Sequence, residues 1–290
     1  MVVSVEFLQP STWDDALAAK ARYPDAVPIA GGTDVMVELN FDRRRPVALL
    51  DLTRIASLTD WATEGDLLRI GAGVTYRRLI DELGGQLPGL AMASRTVGSP
   101  QIRNRGTVGG NLGSASPAGD AHPPLLAGDA LVELASATRG TRRVPVAEFF
   151  TGPKRSVLAP DELIAGFLVA PASGPEQFAK VGTRNAMVIA VCSFALALHP
   201  SRGAVGTGIG SAAPTPLRAA GAEEFLAAQA PWESRAELPA SVVARFGDLV
   251  AGAAAPIDDV RGTAGYRRHA LAVLARRTLS WAWTRYREGG

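Results

Sequence analysis

Two pairs of adjacent glycines carry the strongest chemical suggestion in this sequence. Gly31-Gly32 lies in "PIAGGTDV", residues 28–35, and Gly109-Gly110 lies in "TVGGN", residues 107–111. Each pair follows an apolar residue or two. Each is followed at once by hydrogen-bonding side chains: Thr33 and Asp34 in the first, Asn111 in the second. Glycine has no Cβ, so successive backbone N–H groups can point into one concavity and let an anion approach them. Two such bends could close on the two phosphates of a dinucleotide from opposite sides. Taken singly, either pair reads more readily as an ordinary tight turn, because short glycine motifs often match by chance.

Other chemistries find no support in the spacing. No G-x-G-x-x-G follows a strand, so a doubly wound nicotinamide fold is unsupported, and the absence of G-x-x-x-x-G-K-[ST] excludes a P-loop. The three histidines, His122, His199 and His269, have no metal-ligand spacing among themselves. His122, in "DAHPPLL" near the second glycine pair, reads as a packed or hydrogen-bonded ring. The single cysteine, Cys192, sits inside "MVIAVCSFALAL" and reads as a small buried hydrophobe. One cysteine excludes a disulfide framework and a thiolate-ligated cluster within the chain. With no G-x-S-x-G and no evident base for Cys192, hydrolase arrangements are equally unsupported.

The elements that must position the glycine pairs are those of two or three packed domains. The 290 residues are 47% hydrophobic and 20% charged, which suffices for sizeable cores. Net charge is +2, and 27 of the 30 basic residues are arginine. That balance argues against nucleic acid or a membrane surface as the main partner. The densest basic run, Arg43-Arg44-Arg45, reads as a solvated loop. "MVVSVEFLQP" lacks the features of a leader and no apolar stretch reaches membrane-spanning length, so a soluble, cytoplasmic protein is expected.

Residues 1–55 read as a small α/β unit. "VSVEFLQP" alternates like an edge strand. "STWDDALAAKARYP" predicts a helix capped by Ser11 or Thr12, with Asp14 and Asp15 in its first turn and Pro24 past its end. "AVPIAGG" and "VALLDL" predict short strands, with a polar loop at 40–46. A second unit spans 56–175. Within it, "LLRIGAGVT" reads as a strand and turn and "YRRLIDEL" as a short helix. Ser94–Asp120 holds six glycines and two prolines, a density that predicts a long loop of the kind usually tied to function. "ALVELAS", "RRVPVAEFF" and "LIAGFLVAP" then predict strands. The third unit, 176–290, begins with antiparallel strands at "VIAVCSFALAL" and "AVGTGIGSA". It ends in a helix whose core-facing stripe is predicted as Leu271, Leu274, Thr278 and Trp281.

"AGGTD", followed some 70 residues later by "SPQIRNRGTVGGNLGSASPAGD", resembles the FAD-binding subunit of the molybdenum hydroxylases. That family includes xanthine dehydrogenases, carbon monoxide dehydrogenases and related aromatic hydroxylases. "APDELI", "FAKVGTRNAMVIA", "GIGSAAPTPLRA" and "DDVRGTAGYRRHALAVLARR" resemble its later blocks in order, so the likeness covers nearly the whole chain. It implies an α+β fold: a two-part FAD domain of the vanillyl-alcohol-oxidase (PCMH) type, then an antiparallel sheet with helices.

The resemblance also implies site roles. Pro28, Ile29, Ala30, Gly31, Gly32, Thr33, Asp34 and Val35 would wrap the pyrophosphate. Thr107, Val108, Gly109, Gly110 and Asn111 would form the second phosphate loop. Asp120 would bind the adenosine side, and Val97 and Ile164 would pack near the cofactor. Lys180 would reach the polar edge of the flavin ring, where a cation stabilises the anionic reduced form. FAD would be held non-covalently. Molybdopterin and [2Fe-2S] clusters would belong to a large and a small partner subunit, with NAD, oxygen or a quinone as electron acceptor. The expected role is electron transfer in a purine-oxidising complex. The alternatives are a standalone flavoenzyme on the same scaffold and an assembly subunit that keeps the fold without the cofactor.

Overall fold

Thr12 opens the first helix. Its hydroxyl accepts the Asp15 amide, and Asp14 and Asp15 lie at the positive end. In the computed structural model, which describes residues 5–289, this helix α1 (Trp13–Arg22) follows strand β1 (Glu6–Leu8) and precedes β2 (Val27–Ile29). A short helix α2 (Val35–Asn40) and strand β3 (Ala48–Asp51) come next. The strands form a parallel sheet in the order β1-β3-β2. β1 is an edge, as its alternation predicts; Val3 and Ser4, expected to begin it, lie outside the described residues. Leu17, Leu50, Ile55 and Leu58 meet Ala135, Leu163 and Ala165 of the next region in a shared core. Arg43, Arg44 and Arg45 are exposed.

The second region is built on a five-stranded antiparallel sheet. It starts with β4 (Trp61–Glu64) and β5 (Leu67–Gly71). A run of helices follows: α3 (Tyr76–Arg78, continued by a wider turn over Leu79–Leu83), α4 (Pro88–Arg95), α5 (Pro100–Arg105), α6 (Val108–Ser114) and α7 (His122–Ala127). Next are β6 (Leu131–Ser136), β7 (Gly140–Pro145), a turn of helix α8 (Val146–Phe149), a small ribbon of β8 (Phe150–Gly152) and β9 (Arg155–Ser156), and β10 (Leu163–Val169). The sheet order is β4-β5-β10-β6-β7. The fully buried Ile70, Leu79, Leu112, Leu134, Phe149 and Phe167 centre its core.

Two sequence expectations need correction here. Ser94–Asp120 is mostly short helix, not loop. Ser99 and Thr107 cap α5 and α6, their hydroxyls accepting the Ile102 and Gly110 amides at 3.4 and 2.8 Å. Pro100 fills the first position of α5, where its missing N–H costs nothing. The run "RRVPVAEFF" is a strand only to Pro145 and then turns helical.

The third region has the antiparallel sheet β11 (Glu176–Val181), β12 (Cys192–His199) and β13 (Ala204–Gly210), in that order. Helices α9 (Ala220–Gln229), α10 (Ala240–Ala253) and α11 (Ala264–Arg287) cover one face. Phe194, Leu196, Phe246, Leu271 and Leu279 share that core. The opposite face lies on the second region, where Gly206 and Gly208 press against the main chain of Ala127 and Pro123. Leu271, Leu274 and Thr278 face the core as predicted, but Trp281 is 51% exposed and Trp283 is the buried indole. The stripe runs on through Leu279, Ala282 and Tyr286. At 100° per residue Trp281 therefore falls on its flank.

Candidate functional site

The first glycine pair leaves the end of β2, where the Ile29 carbonyl accepts the Leu52 amide at 2.9 Å. Gly32 then takes φ +73°, a left-handed bend that favours glycine. The chain re-enters helix at Val35, but the Asp34 side chain makes no capping bond and stays exposed. The amides of Gly31, Gly32, Thr33, Asp34 and Val35 find no backbone or side-chain acceptor among the described residues. A run of unpaired donors round a bend is the geometry that receives an anion.

Gly31 answers a different demand. A Cβ there would land on the Arg105 carbonyl, with the Gly106 nitrogen 2.9 Å away. A Cβ on Gly106 would in turn stand 3.4 Å from the Thr33 hydroxyl. The first glycine loop thus meets, main chain to main chain, the Arg105–Gly106 step that leads into the second. Gly109 is likewise pressed onto Ala72, 2.5 Å from where its Cβ would be. Gly110 is the open member: a Cβ would meet only the Thr107 hydroxyl, at 3.1 Å. Gly110 is exposed, while Thr107, Val108 and Gly109 are buried beneath it.

The remaining expected residues continue along the same seam. The Asn111 side-chain oxygen accepts the Ala121 amide at 3.4 Å and so ties α6 to the turn that carries Asp120. Asp120 is buried and pairs with Lys180 at 2.6 Å. Lys180 also donates to the Thr96 carbonyl, and the Thr96 hydroxyl donates to Asp120, both at 3.3 Å. Asp120 Oδ1 is buried without a partner. Burial lifts the Asp120 carboxyl above its ordinary range, and Lys180 and Thr96 pull it only part of the way back. Val97 follows Thr96 and packs partly buried on the second core. Ile164 lies under α6, its Cδ1 3.7 Å from where a Gly113 Cβ would be. Pro28, Ile29 and Ala30 lead into the bend, with Pro28 exposed.

The pair corrects one expectation. Asp120 and Lys180 were expected at opposite ends of a dinucleotide, yet a 2.6 Å contact puts them at one point. Lys180 is also no solvated lysine, since its side chain is 7% exposed.

Some neighbours carried little sequence signal. Tyr76 is 3% exposed and packs beside Gly106, and its phenol makes no hydrogen bond among the described residues. Burial raises its pKa, and the charges of Asp120 and Asp34 raise it further. Gly31 and Gly32 line a cleft of about 250 Å³ together with Phe7, Met36, Asp51 and Arg105. A cation one residue before Gly106 was the only available hint of Arg105. His122 is fully buried, as expected. Its Nε2 donates to the Asn111 carbonyl at 3.2 Å and its ring stands 4.5 Å from Phe150. Burial drives its pKa down to about 4, so the ring is neutral. Cys192 is sealed in the third core, its thiol pushed up to about 12 by burial. Among the described residues no cluster of His, Cys, Asp or Glu could hold a metal, and no helix is long and apolar enough to cross a membrane.

Free amides at a glycine bend, an exposed Gly110 and a buried acceptor with spare capacity suit a phosphate-bearing ligand with hydroxyl groups. Residues 3–171 match the FAD binding domain in molybdopterin dehydrogenase, and residues 177–282 the CO dehydrogenase flavoprotein C-terminal domain. The chain is 32% identical to the xanthine dehydrogenase FAD-binding subunit of Escherichia coli O157:H7, over 94% of both chains. It is 28% identical to the carbon monoxide dehydrogenase medium chain of Hydrogenophaga pseudoflava, over 97% of both. A solved carbon monoxide dehydrogenase from that organism superposes with a TM-score of 0.88, covering 97% of this chain and 98% of that one. The chain belongs to the family of FAD-binding subunits of the molybdenum hydroxylases, of xanthine and carbon monoxide dehydrogenase type. It is a subunit of an oxidoreductase, and FAD is its cofactor.

Proposed function

We propose that this chain is the electron-transfer subunit of a purine-oxidising molybdenum hydroxylase in the cytoplasm. A small subunit with [2Fe-2S] clusters and a large molybdopterin subunit complete the enzyme, and NAD or another external acceptor takes the electrons. FAD supplies the exchange between single-electron carriers and two-electron acceptors. The unpaired amides of Gly31–Val35 and the open Gly110 hold the diphosphate. Asp120 accepts a cofactor hydroxyl through its spare oxygen, and Lys180 presents its ammonium from the third region. The cofactor is bound non-covalently: His122 is enclosed and Cys192 lies in another core. The units 1–55, 56–175 and 176–290 are the working divisions of this reading.

The observation that carries the reading is the main-chain contact of Gly31 with Arg105–Gly106, the step into the second glycine loop, directly beside the unpaired amides. The purine branch is favoured by similarity to the xanthine dehydrogenase subunit along almost the whole chain. The test is affinity purification from the native host with metal and flavin analysis. Molybdenum, iron and FAD co-purifying in constant ratio, with xanthine reducing the flavin, is the expected result. A yellow protein that turns over its own substrate without partners would replace this reading with a standalone flavoenzyme.

A further inference from the structure

The outer side of α11 carries charge of one sign only. Between Ala264 and Arg287 the helix has six arginines and one histidine and no carboxylate, so all 28 acidic residues of the chain lie outside it. Three of the arginines are engaged. Arg267 is buried and donates to the Ser211 carbonyl and to Asp259, Arg276 pairs with Asp248 of α10 at 2.6 Å, and Arg287 donates to the Arg235 carbonyl at 3.2 Å. Arg268, Arg277 and Arg285 are exposed and have neither an ion pair nor a hydrogen-bond acceptor among the described residues. Arg277 and Arg285 stand four residues before and after Trp281, so cation, indole and cation follow one another along a single ridge. Trp281 is half exposed, and its N–H finds no acceptor among the described residues, whereas Trp232 and Trp283, packed on each other, donate to the Ala227 and Ala236 carbonyls at 3.0 and 2.8 Å. α10 leaves the ridge uncovered. It packs on the side of Arg276, whose Cγ lies 2.7 Å from where a Gly247 Cβ would be, and Trp281 is about 140° round the helix from there.

Tryptophan and arginine are the residue types that dominate binding at protein interfaces. An indole between two free guanidiniums complements an acidic surface with an apolar socket at its centre. It does not suit nucleic acid, because two cations neutralise few phosphates and a net charge of +2 supplies no wider basic field. The sheet decides between the two partner subunits. In β11, Ala179 and Val181 join the third core under the helices, while Lys180 points the other way and pairs with Asp120 in the second region. The α11 ridge is therefore on the far side of β11 from the candidate cofactor site, and a subunit that feeds electrons to the flavin has to sit on the cofactor side. Resting on the function proposed above, we propose that the Arg277–Trp281–Arg285 ridge is the docking surface for an acidic patch on the large molybdopterin subunit.

The test uses the enzyme assembled from all three full-length subunits. Cys192 is sealed in the third core, so Thr284→Cys, on the exposed turn after Trp281, places a single reactive thiol beside an intact ridge. Loaded with a maleimide photo-cross-linker, it is expected to join the large subunit, identified by peptide mass. Trp281→Ala should weaken capture of the large subunit by about thirtyfold, the scale of an interface hot spot. Arg277→Glu/Arg285→Glu should weaken it at least tenfold, and rising salt should weaken wild-type capture. All three side chains are exposed, so FAD binding, melting temperature and capture of the small subunit should stay at wild-type values. A cross-link to the small subunit, or undiminished capture of the large one by both variants, overturns this inference and leaves the proposed function standing. A wild-type chain that captures neither subunit would instead refute the proposed function and this inference with it.

Discussion

Gly31 and Gly110 lie on the same seam, yet alanine at the two positions should move stability in opposite directions. At Gly31 the new methyl would land on the Arg105 carbonyl. Both sides of that contact are main chain, so no rotamer change relieves it. Overpacking of this kind costs about 1–3 kcal/mol. Loss of backbone freedom in the unfolded chain returns about 0.4–1 kcal/mol. The net expectation is a loss on the order of 1–2 kcal/mol, or roughly 2–8 °C in Tm for a chain of this size. At Gly110 the methyl meets only the Thr107 hydroxyl at 3.1 Å, and α6 gains up to about 1 kcal/mol of helix propensity. Gly110→Ala should therefore melt at or slightly above the wild-type temperature. Both variants should bind FAD more weakly, Gly31→Ala because the loops separate and Gly110→Ala because a methyl stands where the phosphate approaches. Flavin-free melting curves and FAD titrations read the two effects apart. A Gly31→Ala protein that melts like wild type would refute the main-chain junction. Undiminished FAD binding by Gly110→Ala would refute the phosphate role of α6.

Lys180→Met leaves Asp120 buried without its cation and should cost about 3–5 kcal/mol in urea denaturation, whereas the double variant Lys180→Met/Asp120→Leu should recover much of that loss. Burial pushes Glu176, which accepts the Gly89 amide at 2.8 Å, up to about 7, so its stabilising share is complete below the ordinary carboxylate pKa and is lost as pH rises towards 7. His122, depressed to about 4, acts with the opposite sign, losing stability as pH falls from 6.5. Between pH 7 and 5 each is worth about 2 kcal/mol, so the wild type should be nearly flat there, Glu176→Gln should lose stability on acidification, and His122→Phe should gain it. Asp120 adds to the Glu176 side and His199 to the His122 side, so measured slopes are compared between variants and wild type. Cys192 should resist iodoacetamide at pH 8 in the folded protein and react only when denaturant opens the third core, as mass spectrometry would show.

Local signals served well wherever local physics decides. Ser11 or Thr12 with two acidic residues following placed the start of α1, where Thr12 proves to be the cap, and the apolar runs around Cys192 and Val205 gave β12 and β13 because both are buried strands. Glycine density misled between Ser94 and Asp120. Counted as helix breakers, those glycines argue for a loop. In three dimensions Gly109 is small because Ala72 presses on it, and Ser99 and Thr107 supply the caps that short helices need. The candidate site residues stood out through their motifs, but which of them meet did not. Sixty positions separate Asp120 from Lys180, and nothing local says that they pair. Asp51 and Tyr76 enter the site through topology alone, the first at the end of a sheet strand and the second beneath Gly106.

The three regions are fastened to one another by unequal means, and this bears on how the cofactor is held. The second and third regions share main-chain contacts at Gly206 and Gly208 and a buried ion pair. The first region touches the second through its core residues and, at the site itself, through Gly31 on Arg105–Gly106 and Thr33 beside Gly106. Five amides of the first region's bend have no acceptor within the described protein. A diphosphate that accepts them gives those donors a partner on the seam between the first and second regions. A ligand bound only by the folded chain adds about 2.7 kcal/mol at a hundredfold excess over Kd. On this reading that gain falls chiefly on the joint between the first and second regions. Hydrogen exchange of the Gly31–Val35 amides should therefore slow more on FAD binding than exchange in β12, whose amides are already paired on both sides.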